Sequence, residues 1–441
     1  MPFSVVDEAV HLLETEAAPW SVEMELAVEG HLDETRLRTA FAHALEAHPM
    51  ARARKVASRP ALHTDQWEIA AEADHDPLRV VDCADDDALA TARAELQSLA
   101  VPLAEAPPLR ARLVRHPGGD VVMLNANHAA MDAFGALRLL QSVARAYAGE
   151  PDPAPAPTHL EAREYPDRLA AGGLVTRLRR RLALAEKLRD VVTPPARVAP
   201  DGATGEAGYG FHHVSLPAAR TEAIAGLDHA GTVNDVLVSA LHLAIAGWNA
   251  DHGRPCGRIG VLVPANLRPD HWRHDVVGNF SLPARVSTTP RDRRSPQAVL
   301  RAMTAQTGRK KKSGMGTALV VGLGAARKLP LWAKQVIVAL MPLTGNRLVD
   351  TAMLSNMGRL PEPPSFGPEA GGTVDVWFSP PGRMPLGLTV GAVTVGERLH
   401  LSFRYRHRLF GADAARAFAD RYLAELDRLI DPAPPTAALA S

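Results

Sequence analysis

The 441-residue sequence is poor in cysteine: there are two, Cys83 and Cys256, far apart in the chain. That excludes a disulfide framework and a cysteine-rich zinc site, and it suits a reducing compartment, the cytoplasm. Net charge is lacking too, because 49 basic residues offset 49 acidic ones. A nucleic-acid surface calls for a basic excess, so no nucleic-acid partner is expected. Long apolar runs are also missing. The most apolar region, Thr317 to Leu343, is interrupted by Arg327, Lys328, Pro330, Lys334 and Pro342, so no transmembrane segment is expected. The opening residues, MPFSVVDEAVHLLETE, carry no basic stretch followed by an apolar core, and no signal peptide is read there.

What remains is ordinary for a folded chain. Hydrophobic residues make up 46% and charged residues 22%, which excludes disorder as the main state. The length suits two or three domains. Two stretches lack periodicity: PDPAPAPT at 151–158, stiff by composition, and TPPARVAPDGATGEAGYG at 193–210. An Arg-rich amphipathic segment, LVTRLRRRLALAEKLRDVV, lies between them. The reading is an N-terminal lobe over 1–195 and a C-terminal lobe over 196–441.

The pattern mixes helix and strand. Ser21 to Glu29 alternates as a strand, while Leu37, Ala40, Phe41, Ala44 and Leu45 recur at helical spacing within Asp33 to Ala47. Leu109 to Arg115 and Val121 to His128 read as strands, and Asp132 reads as the N-cap of a helix. Thr232 and Asp235 form a capping box before a long apolar stripe that ends near Trp248. Arg258 to Pro264 reads as a buried strand. Leu386 to Val395 and Arg398 to Tyr405 read as a hairpin turned at Gly396-Glu397, and Ala412 to Ile430 as a terminal helix. The two halves share a motif: a strand, a His at its end (His128, His407), and a helix that starts four residues later, at Asp132 in one half and Gly411 in the other. This reads as a worn duplication.

His128 and Asp132 are the candidate chemistry. A neutral imidazole can take a proton from an alcohol or amine near neutral pH. The plainer reading is a packed His beside a helix-capping Asp. The surrounding residues bear on that choice. AFAHALEAHPMARAR, PPLRARL followed by VVMLNANHAAMDAFGALRLL, TVNDVLVSALHLAIAGW, VLVPANLRPD, VVGNF, Ser355-Asn356-Met357-Gly358 and LHLSFRYRHRLF occur in order along nearly the whole chain. Together they resemble the condensation-domain superfamily, which includes peptide-synthetase condensation domains, polyketide-associated acyltransferases, wax ester synthases and chloramphenicol acetyltransferase.

The resemblance implies an α/β (α+β) fold of two chloramphenicol-acetyltransferase-like lobes, a pseudo-dimer with an active-site tunnel between them. It implies that His128 matches the second His of a His-His-x-x-x-Asp-Gly signature, the general base of acyl transfer. Asp132 matches the signature Asp, an orienting residue, and Arg268 is its expected partner through a bidentate fork. Asn127 stands where the first His would be and Ala133 where the Gly would be. Oxyanion candidates are the Ala133 amide, Ser355 and Asn356. Also implied are an acyl thioester co-substrate, carried on the phosphopantetheine arm of an acyl or peptidyl carrier protein or on coenzyme A, and a small-molecule alcohol or amine acceptor. The product would be an ester or amide of a natural-product or lipid pathway, with O-acylation favoured. No bound cofactor, no metal and a monomer are expected.

Arg309, Lys310, Lys311 and Lys312 form a basic run that reads either as a solvated helix face or as a dock for an anionic donor. A basic run before an apolar stretch also reads as a contact for anionic lipid. The alternative to an enzyme is a catalytically degenerate module that binds a carrier-tethered chain or recruits a partner enzyme. His212-His213 reads as part of a strand with two exposed or half-packed rings, His407 as a relic or an interface residue, and His271 and His274 as too weak for zinc. Gly322-Leu323-Gly324 lacks the context of a dinucleotide site, and no Gly-x-Ser-x-Gly elbow occurs.

Overall fold

The computed structural model describes residues 1–14, 19–57, 61–153, 158–170, 193–227, 231–312, 323–324, 326–340, 347 and 349–431. The Arg-rich segment at 174–192 and Gly322 lie outside them. In the first half the strands are β1 (Ser21–Val28), β2 (Ala53–Val56), β3 (Gln66–Ile69), β4 (Leu78–Asp82), β5 (Leu109–Arg115) and β6 (Val121–Asn127). The helices are α1 (Val5–His11), α2 (Glu34–Ala47), α3 (Asp86–Ser98), α4 (Ala133–Ala148) and α5 (His159–Ala170). The second half adds β7 (Tyr209–Leu216), β8 (Ile259–Asn266), β9 (Ser281–Thr288), β10 (Ala352–Arg359), β11 (Thr373–Ser379), β12 (Leu388–Val395) and β13 (Arg398–Arg406). Its helices are α6 (Ala218–Ala225), α7 (Val233–Asp251), α8 (Pro296–Lys312), α9 (Leu331–Leu340) and α10 (Ala412–Ile430).

Two mixed sheets organise these elements, in the orders β11-β1-β6-β5-β4 and β7-β13-β12-β10-β8-β9. The alternation in β1 sends Val22, Met24, Leu26 and Val28 into a core shared with Phe41 of α2 and with Leu137 and Leu140 of α4. Its other face carries Glu23 and Glu25, which are fully buried, because α3 and strands of the second sheet cover it. In the second half the apolar stripe of α7 packs with Phe418, Tyr422 and Leu426 of α10 against the larger sheet.

A division of the chain at 195 does not account for β11. This strand comes from the second half, yet it pairs antiparallel with β1 from Glu23↔Ser379 to Val28↔Thr373. Where it passes β12 the backbones come so close that a Cβ on Gly391 would lie 1.7 Å from the Phe378 carbonyl oxygen, so only glycine fits there. The repeated motif is present in both halves. β6 leads through His128 to α4, capped by the Asp132 side chain, and β13 leads through His407 to α10, where Gly411 supplies no side-chain cap.

Candidate active site

Asn127 ends β6 and His128 follows it, so their side chains leave opposite faces of the chain. Asn127 turns into the first half. Its Nδ2 donates to Glu14 Oε1 and Oε2, both at 3.0 Å, and to the Val101 carbonyl at 2.9 Å, while its Oδ1 accepts from the Ala129 amide at 2.9 Å. His128 turns the other way, into a cavity of about 340 Å³. α1 (Ala9, Val10), Trp20, β8 (Pro264), β9 (Leu282), β10 (Met353, Ser355) and the end of β11 (Phe378, Pro380) contribute to its wall. The cavity therefore lies where the two halves meet, and its lining is mostly apolar.

The His128 amide donates to the Trp20 carbonyl at 3.0 Å, which anchors the ring beside the cavity. Its Nδ1 is buried and makes no hydrogen bond of ordinary geometry. Burial pushes the pKa of His128 below the usual histidine value, while the charge of Asp132 and a contact with its own backbone act in the opposite direction. The ring is neutral near pH 7 and can accept a proton.

Asp132 and Arg268 meet as expected, but not in a bidentate fork. Arg268 NH1 reaches Asp132 Oδ2 at 2.6 Å, while NH2 donates to the carbonyls of Val276 (3.1 Å) and Gly278 (2.9 Å). Asp132 has other duties: Oδ2 also accepts from the Phe280 amide at 2.8 Å, and Oδ1 accepts from the Gly135 amide at 2.9 Å, capping α4. With one oxygen committed to the helix, one is left for the guanidinium. Both side chains are buried. The pair ties the loop between His128 and α4 to residues 268–280 of the second half.

Of the oxyanion candidates, Ala133 and Ser355 line the cavity. The Ala133 amide is the first of α4 and belongs to the free donors at the positive end of that helix. Asn356 is not brought to the cavity. Its Oδ1 accepts from the Gly358 amide at 2.8 Å where the pairing of β10 with β12 shifts register, so the Ser-Asn-x-Gly segment is part of a strand and supplies a cavity wall only through Ser355. Arg309, Lys310, Lys311 and Lys312 form the C-terminal end of α8 and are not part of the cavity wall.

Two features were not visible in the residue pattern. Glu14, which holds Asn127, has its pKa raised to about 7 by burial, against lowering hydrogen bonds from Asn127 and the Trp20 backbone. The second is a buried polar cluster beside β1. Glu25 pairs with Arg93 at 2.6 Å, Glu23 accepts from the Ser379 hydroxyl, and the ring of His213 stacks on Trp377 at 4.5 Å. His213 is thus more enclosed than a half-packed strand residue. Burial, reinforced by Glu25, pushes Glu23 up to about 8. Glu23, Glu25 and His213 bring ligand atoms within 4.8 Å of one another. Arg93 beside Glu25 and Arg404 near Glu23 already supply two positive charges to the cluster, so a divalent cation would leave buried charge in excess. His407 packs edge-on against Tyr405, with ring centroids 6.0 Å apart.

Comparison with known proteins places this geometry. The chain is 35% identical over 409 residues to the uncharacterized protein Rv2305 of Mycobacterium tuberculosis strain H37Rv, covering 91% of this chain and 93% of that one. An uncharacterized protein of strain CDC 1551, MT2362, matches equally. The fold of the first condensation domain of the calcium-dependent antibiotic synthetase, in complex with a substrate analogue, superposes with a TM-score of 0.72 at 16% identity and covers 98% of both chains.

The chain belongs to the family of the mycobacterial protein Rv2305, and its fold is that of the condensation-domain superfamily.

The same superfamily fold appears in the epimerization domain from the third module of tyrocidine synthetase B, with a TM-score of 0.65, 16% identity and 97% of both chains covered. It appears again in SgcC5 from Streptomyces globisporus, with a TM-score of 0.64, 18% identity and 98% of both chains covered. No family model matches the sequence. Among the described residues no helix is long and apolar enough to cross a membrane.

Proposed function

We propose that this condensation-domain-like protein is an acyltransferase that uses His128 as general base. The observation that carries the reading is the His128 ring, kept neutral by burial, beside an apolar cavity at the junction of the two halves. An acceptor hydroxyl or amine in that cavity would lose its proton to the imidazole as its oxygen or nitrogen attacks the thioester carbonyl. The new C–O or C–N bond forms, the C–S bond breaks, and the proton passes from the imidazolium to the departing thiolate. The negative charge on the carbonyl oxygen would be met by the Ala133 amide at the start of α4 and by the Ser355 hydroxyl. Holding both substrates side by side supplies much of the rate.

The donor is an acyl thioester on a carrier protein or coenzyme A, and no resident cofactor is required. The SgcC5 structure is a complex with an aryl-substituted ethanediol, and an alcohol of that class suits a cavity of about 340 Å³ with apolar walls. The replacement of the first signature His by Asn127 is compatible with activity, because Asn127 points away from the cavity and satisfies Glu14 and the Ala129 amide.

The test supplies acyl-coenzyme A and acyl-carrier thioesters with a panel of alcohols and amines, beside a His128→Ala variant. Ester or amide formation should fall by about a hundredfold or more in the variant. Undiminished turnover in the variant refutes the mechanism. Carrier binding without turnover by either protein would identify a degenerate binding module instead.

A further inference from the structure

Helix α9 is built inside out. Its buried residues include Leu331 and a lysine, Lys334, whose Nζ donates to Glu8 Oε1 at 2.6 Å and to the His63 carbonyl at 2.5 Å. Its outer side carries Trp332 at 56% exposure, Val336 at 48%, Ile337 at 54% and Leu340 at 50%, with Gln335 as the polar residue among them. These four lie on one side of the helix, at spacings of four, five and eight from Trp332. A helix in water presents the opposite arrangement, and an apolar face this open marks an interaction surface.

The sequence that carries the helix says what that surface meets. Residues 293–349 contain eleven Lys or Arg and no Asp or Glu, in a chain whose overall charge is zero; of these, Lys334 is paired with Glu8 and Arg327 with Asp167. Lys328 is exposed one turn before Trp332, and α8 ends in the run Arg309 to Lys312. Trp with aliphatic residues, flanked by cations and free of carboxylates, is the composition of a segment that lies in the headgroup region of an anionic bilayer. An acidic protein partner would answer the charge but not four open apolar side chains in a row. The helix also has a functional address. Its lysine grips Glu8 of α1, and the next residues of that segment, Ala9, Val10, Leu12 and Leu13, wall the cavity of His128.

We propose that the outer side of α9 docks the protein on the surface of an anionic lipid bilayer, holding the cavity beside a lipid-borne substrate. The choice of substrate rests on the acyl-transfer reading; the docking itself does not, and the two fail separately.

The experiment is flotation of the full-length protein with vesicles of phosphatidylcholine alone and of an equal mixture of phosphatidylcholine and phosphatidylglycerol. The protein should float with the mixed vesicles, far less with the neutral ones, and be released by high salt. Trp332→Ser with Ile337→Ser should lower the bound fraction at least about tenfold, and Lys311→Glu with Lys328→Glu should act in the same direction. Both variants should keep the wild-type melting temperature, since the altered side chains are exposed. Failure of the wild type to float, or flotation untouched by the Trp332/Ile337 change, overturns the proposal. So does a wild-type dimer that the Trp332/Ile337 change dissociates, which would assign the face to a second copy of the chain. Binding of an acidic carrier protein, but not of vesicles, through these residues overturns it as well. Turnover on soluble substrates should be the same in wild type and in the Trp332/Ile337 variant whichever way the vesicle result falls.

Discussion

Replacing Asp132 with Asn is the sharpest test of how the site is held. The carboxylate accepts from Arg268, from the Phe280 amide and from the Gly135 amide, and both it and the guanidinium are buried. An amide side chain can still cap α4 through its oxygen. Its NH2 group then faces two donors, Arg268 and the Phe280 N–H, and the guanidinium keeps its carbonyl partners but loses its counter-charge. Breaking a buried pair from one side costs about 3–5 kcal/mol. Arg268→Met should cost less, because the carboxylate retains two amides and the start of α4. The double variant removes both charges together, so its loss should fall short of the summed single losses by about 1–3 kcal/mol. Urea denaturation, followed by tryptophan fluorescence and by circular dichroism, measures all four proteins; coincidence of the two signals checks that both halves unfold together. A loss under about 1 kcal/mol for Asp132→Asn, or single losses that add to within about 0.5 kcal/mol, would refute the claim that this pair ties the halves.

Burial lowers the pKa of His128, so its base form persists as pH falls through the ordinary histidine range; the acid limb of kcat/KM should lie below pH 6.5, the usual histidine value. Asp132 raises that pKa, so Asp132→Asn should move the limb to still lower pH, and a limb above neutrality would contradict the assignment. The pKa of Glu14 is raised from 4.5 to about 7. The unfolded chain releases this proton first, so stability from this group is present at pH 4.5 and is lost as pH rises through 7, by up to roughly 3 kcal/mol. Glu14→Gln keeps an acceptor for Asn127 and should flatten that part of the pH–stability curve; an unchanged slope would show that Glu14 does not titrate there. Gly391→Ala places a methyl group on the Phe378 carbonyl and should cost about 3 kcal/mol or more in a denaturant melt, and wild-type stability would mean that β11 and β12 do not cross so closely.

Much of the local architecture could be read from residue order. The limits of α10, the cap of α4 at Asp132, the capping box at Thr232 and Asp235 and the turn at Gly396-Glu397 all rest on near-neighbour chemistry. The partnership of Asp132 with Arg268, 136 residues apart, came from family resemblance and not from spacing. What could not be read depends on which way a side chain leaves the backbone and on what lies opposite. Asn127 and His128 are neighbours, as are Ser355 and Asn356, and in each pair one residue lines the cavity. A residue pattern shows the pair but not which member looks inward. The same holds for Glu23 and Glu25, which read as the polar side of a strand until α3 and the second sheet cover them.

The pairing of β11 with β1 makes each half of this chain incomplete without the other. A fragment spanning 1–195 would leave β1 with a bare flank along six residue pairs, an open template for unintended association. The molecule therefore cannot have its halves produced, exchanged or redesigned as independent cassettes. Nor can the cavity be opened by prising the halves apart along that ladder without breaking these pairs.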